Sequence, residues 1–99
     1  MLYDLAQKHG ADWSVIQEAL AADPRIGSTH LNPVHQGGRG AGGHCFIKDF
    51  EAFRREYNAH VGDLFGKEVL QALVQKNNQY LKSSGKNLDL LEGVYGKDM

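Results

Sequence analysis

Apolar positions in this chain of 99 residues recur at three and four residues rather than at two, the period of helix faces rather than strands. Leu2, Leu5 and Ala6 open the pattern. Lys8 and His9 suit the negative end of a helix dipole, and Gly10 can take the left-handed conformation that closes a helix. Asp12 stands where a cap for a second helix belongs, with Trp13, Ile16 and Leu20 on one face. Asp23-Pro24 should stop that helix, because the residue before a proline is pushed out of the helical region. From Pro24 to His44 no period holds and Gly, Pro, Asn, His and Ser dominate; so long a loop in a compact domain is more often functional than idle. A third helix is predicted from about Lys48 to Asn58, with Phe50, Phe53 and Tyr57 inward. A fourth, the longest, is predicted after Gly66, with Val69, Leu70, Leu73, Val74, Tyr80 and Leu81 as its stripe and Gly85 at its end. Leu88, Leu90, Leu91 and Tyr95 are expected to pack as a short turn on the bundle.

The expected fold is therefore all-α: a small domain of about four helices with a long glycine-rich loop. The aromatic and leucine stripes read as core. The stripe of the fourth helix is wide enough to leave apolar surface for a second subunit, so a homodimer is expected. Leu2, Leu5 and Ala6 have no capping residue ahead of them, as in a helix cut from a longer chain; the polar ending Gly96-Lys97-Asp98-Met99 fits a cut or a natural end equally.

Composition narrows the class. The net charge is −1 and 23% of residues are charged, with no basic stripe or charge block, so neither nucleic acid nor a membrane surface is an expected partner. The apolar runs are too short to span a bilayer, and Met1-Leu2-Tyr3-Asp4-Leu5 has no basic region ahead of a continuous apolar run. One cysteine excludes an internal disulfide framework and suits a reducing compartment. A cytoplasmic location is the expectation.

That cysteine has unusual surroundings. In Gly42-Gly43-His44-Cys45-Phe46-Ile47-Lys48-Asp49 it follows a glycine-rich loop at what looks like a helix start, where orphan amides and the dipole favour thiolate over thiol. If the segment is helical from Cys45, Lys48 and Asp49 share its face, which is the layout of an activated nucleophile with charged assistants. The plainer readings are also available: Asp49 could cap the helix that starts at Phe50, and Lys48 could be a solvated lysine. Gly38-Arg39-Gly40-Ala41-Gly42-Gly43 contains a Gly-x-Gly-x-x-Gly string, but no strand is predicted before it, so it is not read as a dinucleotide site and no cofactor-binding residue is assigned. Its glycines are expected to let the backbone approach a ligand or turn sharply before Cys45. His30, His35, His44 and Cys45 have irregular spacing and no Cys-x-x-Cys pair, so no metal is expected; His44 is better placed to orient or pack beside Cys45.

Gly-Gly-x-Cys-x-x-Lys-Asp, preceded by Asp23-Pro24-Arg25-Ile26-Gly27, Arg39-Gly40-Ala41 and Gly10-Ala11-Asp12, resembles the nucleotide-sugar dehydrogenases, the UDP-glucose and GDP-mannose dehydrogenase superfamily. The likeness covers roughly residues 2 to 60 and is to part of the family's central helical dimerisation domain. It implies that residues 1–99 are a fragment of that domain, with both Rossmann-like domains absent. It also implies oxidation of a nucleotide sugar at C6 to the uronic acid, through a thioester, with NAD as acceptor in the parent enzyme and none bound here. By the same resemblance Cys45 is the nucleophile, Asp49 the water-activating carboxylate and Lys48 a modulator of charge near the thiolate. Gly42, Gly43 and Arg39 become substrate-loop positions, and Arg25 reaches the substrate of the neighbouring subunit. The isolated chain is expected to be inactive. The alternative is a stand-alone helical dimerisation module whose cysteine has no catalytic task.

Overall fold

A computed structural model describes residues 1–96 as five helices in two compact units, Met1–Pro33 and Val34 onward. The first unit holds α1 (Leu2–Lys8) and α2 (Trp13–Ala21). As the pattern required, α1 has no side-chain cap, Gly10 is left-handed at φ +68°, and Asp12 caps α2 by accepting from the Ser14 amide at 2.9 Å. Ala6 is buried, Tyr3 meets the Trp13 ring edge-on at 5.5 Å, and the indole N–H donates to the Leu31 carbonyl at 3.1 Å, which brings the outgoing loop back onto α2. Asp23-Pro24-Arg25-Ile26-Gly27 is a single capped turn. The Asp23 carboxylate accepts from the Arg25 amide at 2.9 Å, its carbonyl accepts from Ile26 and Gly27, and Gly27 leaves at φ +69°.

The second unit packs α3 (Gly43–His60), α4 (Leu64–Ser84) and α5 (Leu88–Tyr95). Its core is small: Ile47, Leu81 and Leu91, with Leu90, Val94 and Tyr95 partly buried against it. Leu81 and Leu91 are wholly inaccessible, so each removes a full leucine from water, worth about 2–3 kcal/mol. Glu51 is the ionic counterpart of that core. Its buried carboxylate takes hydrogen bonds from Arg54 at 2.5 and 2.8 Å and from Arg55 at 3.1 Å. The Arg54 guanidinium, with further help from Tyr95 and Arg55, holds its pKa down at about 2 against the cost of burial. Burial, and then the Glu51 carboxylate, push Tyr95 up to about 12, so α3 and α5 are tied by a bond in which the phenol keeps its proton.

Four expectations need correcting. There are five helices among the described residues, because the 88–95 stretch is a full helix rather than a short turn. The third helix starts at Gly43, not near Lys48, so Asp49 lies inside it and is not its cap. The fourth starts at Leu64, two residues before Gly66. Asp63 caps it by accepting from the Gly66 amide at 2.9 Å and also receives the Tyr57 hydroxyl, which occupies the space a side chain at Gly66 would need. The stripes are only partly core. Phe46, Phe50, Phe53 and Tyr57 form a ladder along α3 with centroids 5.8–6.4 Å apart, yet Phe53 is 55% exposed; Val69 and Leu73 of α4 are exposed too. The period correctly named the helix face; it carried no information on how much of that face this chain can cover.

Candidate functional site

The glycine loop begins with a tight hairpin. His35 and Gly38 exchange both backbone hydrogen bonds, at 3.0 and 3.2 Å, around Gln36 and Gly37, which both have positive φ. From there the chain runs along the end of α4. The Arg39 amide donates to Ser84 Oγ at 2.8 Å, and the buried Lys86 ammonium donates to the Gly40 carbonyl at 2.8 Å. Asn77 makes both backbone bonds of Ala41: its Oδ1 accepts from the amide at 2.7 Å and its Nδ2 donates to the carbonyl at 2.8 Å. Asn87 Oδ1 accepts from the Gly43 amide at 3.0 Å.

These contacts give three of the glycines a further reason within the chain itself. A Cβ at Gly38 would lie 2.8 Å from both Ser84 and Lys86 Cβ; at Gly40, 3.0 Å from Leu81; at Gly42, 2.2 Å from Asn87 Oδ1. At these three positions the missing Cβ lets the loop lie flat on its own α4 and the turn after it. Gly43 differs. Its φ is +91°, and a side chain there would meet nothing within 4 Å. It needs its backbone angle, which turns the chain into α3.

Cys45 follows in the first turn of α3, a free and exposed thiol, with Gly42 as an N-cap that contributes no side chain. His44 beside it is exposed as well. Further along α3 the Lys48 ammonium pairs with Asp49 at 2.8 Å, both side chains more than half exposed. Asp49 is the main reason Lys48 holds its proton more firmly than a free lysine, and Cys45 adds a smaller pull in the same direction. The structure thus places Gly42, Gly43, Cys45, Lys48 and Asp49 within the cap and about the first two turns of one helix. Arg39 is in the same unit, its guanidinium 4.5 Å from the centre of the Tyr80 ring, which also carries the Lys76 ammonium at 4.7 Å. Arg25, in the other unit, forks onto Asp23 with bonds of 3.1 and 2.9 Å; this is the local pairing expected of a surface arginine.

Beside this helix start lies an open cleft of about 320 Å³, with almost wholly apolar walls from Phe46, Phe50, Leu73, Val74 and Tyr95 and with Asn77 at its edge. Asn77, Ser84, Lys86 and Asn87 are the residues that sequence reasoning missed. Nothing in a helical period marks an asparagine as the partner of a loop 36 residues away. The run of glycines was the available signal, since alternate glycines imply a close approach to something. Among the described residues no group of three or more His, Cys, Asp or Glu side chains could hold a metal, and no helix is long and apolar enough to cross a membrane.

Residues 1–79 match the family described as UDP-glucose/GDP-mannose dehydrogenase, central domain. The chain belongs to that family. It is 34% identical over 95 residues to UDP-glucose 6-dehydrogenase YwqF of Bacillus subtilis (strain 168), an alignment covering 95% of this chain and 20% of that protein. No solved structure matches. The family match takes in the cysteine helix, the glycine loop and Asn77 and ends before Ser84, Lys86 and Asn87, which the longer alignment to the Bacillus protein includes.

Proposed function

We propose that these 99 residues are the catalytic-cysteine and dimerisation part of an NAD-dependent nucleotide-sugar 6-dehydrogenase, and that the isolated chain is inactive. The observation that carries the reading is the exposed Cys45 in the first turn of α3, in a chain 34% identical to a UDP-glucose 6-dehydrogenase. In the parent enzyme NAD would supply the hydride acceptance, and the glycine string of this chain does not fit it. Among the described residues the glycine string has no strand before it, and the amides of Arg39, Ala41 and Gly43 are already given to Ser84, Asn77 and Asn87.

What these residues contribute is capture and release. The Cys45 thiolate adds to the carbonyl carbon of the sugar aldehyde, keeping a reactive intermediate on the protein. Once that carbon is at the acid level as a thioester, water attacks it, Asp49 takes the water's proton and the thiolate leaves. Lys48, charged and next to both, steadies negative charge on sulfur and carboxylate in turn. Gly42 and Gly43 border the sugar, and Arg39 and Arg25 supply planar donors for its oxygens, Arg25 from the neighbouring subunit of a cytoplasmic homodimer. For Arg25 this requires leaving Asp23, a cheap exchange for an exposed pair.

Replacing Cys45 by serine in the full-length enzyme tests the reading. Acid formation should fall at least about a thousandfold with nucleotide-sugar binding retained; undiminished acid formation leaves the stand-alone dimerisation module as the better account. Titration of the isolated chain with NAD should give no heat, and micromolar binding would restore the glycine string as a dinucleotide site.

A further inference from the structure

The glycine loop has no regular secondary structure after its hairpin, yet its backbone is held at Arg39, Gly40, Ala41 and Gly43. Asn77 is the central contact. An asparagine side chain carries the same donor–acceptor pair as a peptide group, and here it satisfies the N–H and C=O of one residue, Ala41, as a neighbouring strand would. Four residues on from Asn77, Leu81 is wholly buried under Gly40. Two residues on along the loop, Asn87 takes the Gly43 amide, the first residue of α3. Asn87 itself sits at φ 53°, in the left-handed region, where it begins α5. One set of side chains therefore fixes the loop and, through it, the residue at which α3 starts.

We propose that Asn77 is a positioning residue for Cys45: by holding Ala41 through both backbone groups, with Asn87 holding Gly43, it sets the register in which α3 begins two residues before the thiol. The use made of that position rests on reading Cys45 as the nucleophile, but the lock can be measured without any turnover. An asparagine inside a helix is a poorer helix former than alanine, so Asn77→Ala does not weaken α4 by propensity. Asn87→Gly relieves the left-handed backbone while removing the oxygen that holds Gly43, so it serves as a second variant that keeps the fold.

The test uses the 99-residue chain, with amide hydrogen exchange residue by residue and the rate of Cys45 alkylation by iodoacetamide. In Asn77→Ala, exchange at Ala41, Gly43 and Ile47 should rise about tenfold or more, while Leu70 and Val74 in the body of α4 are unchanged. Alkylation should slow about threefold or more as the helix start frays. Asn87→Gly should move Gly43, Ile47 and the alkylation rate in the same directions. Asn77→Asp, which keeps the acceptor for the Ala41 amide and loses the donor, should fall between wild type and alanine. A change confined to Ala41 with alkylation unaltered overturns the proposal, and so does a uniform rise in exchange across α4. Failure of the Cys45→Ser prediction in the full-length enzyme would end the catalytic reading and leave this lock standing.

Discussion

The two ends of α4 show the same apolar period put to opposite uses. Toward its C-terminus Leu81 is fully buried, and Asn77, Ser84 and the following Lys86 seat the glycine loop. Toward its N-terminus Leu64, Phe65, Val69 and Leu73 are 64%, 74%, 58% and 48% exposed, and on α3 Phe46 and Phe53 of the aromatic ladder are exposed as well. The chain finishes one end of this helix by itself and leaves the other apolar. Exposed apolar side chains in such number are rarely left without a use, and a second copy is the partner proposed. The difference separates substitutions that should unfold the unit from those that should only take subunits apart.

The largest effect is expected at the finished end. Leu81→Ala should cost about 2–5 kcal/mol in denaturant unfolding, since it removes a fully buried side chain beneath the loop. A loss under 1 kcal/mol would mean the loop is not seated as described. Acid is the next lever. The Glu51 pKa is depressed from its ordinary 4.5 to about 2 in the fold, so the stability it contributes is fully present above pH 4.5 and is lost as pH falls toward 2. By linkage this amounts to about 3 kcal/mol at most, and Glu51→Gln should flatten unfolding curves measured between pH 5 and 2.

Two glycines sharpen the contrast. Gly42→Ala places a methyl against Asn87 Oδ1 and should cost about 1–3 kcal/mol. Gly93→Ala, inside α5 with open space around it, should gain about 0.5–1 kcal/mol. The smallest effect on folding is expected at the bare end. Phe65→Ser should leave the unfolding transition of the isolated chain at low concentration within about 0.5 kcal/mol, because a residue 74% exposed has little burial to lose. Its effect belongs to assembly: the dimer dissociation constant from sedimentation should rise about tenfold or more. Monomeric wild-type chain at about 100 micromolar would remove this half of the comparison, since a stable interface is well populated there.

Much of this was legible in the sequence. Gly10, Asp12 and Gly85 marked real boundaries because caps and left-handed glycines are local chemistry. The Gly-Gly-x-Cys-x-x-Lys-Asp string named the family because several fixed residues in fixed order are specific. The start of α3 was placed too late because Gly42, the residue before it, caps with backbone alone and sends no side-chain signal. Phe53 and Val69 were assigned to a core because periodicity reports a face and not its cover. Asn77 was missed because its partner is a backbone group far away in sequence, and only the close approach of Gly40 and Gly42 hinted that something lay against them.

The covalent role of Cys45 is the claim on which the functional account depends, and acid-quenched mass spectrometry of the full-length enzyme turning over its nucleotide sugar tests it most directly. The account predicts a uronyl thioester on the peptide that carries Cys45, which accumulates in an Asp49→Asn variant slowed in hydrolysis and is absent from Cys45→Ser. Turnover to the acid with no adduct on that peptide in either wild type or Asp49→Asn would contradict it.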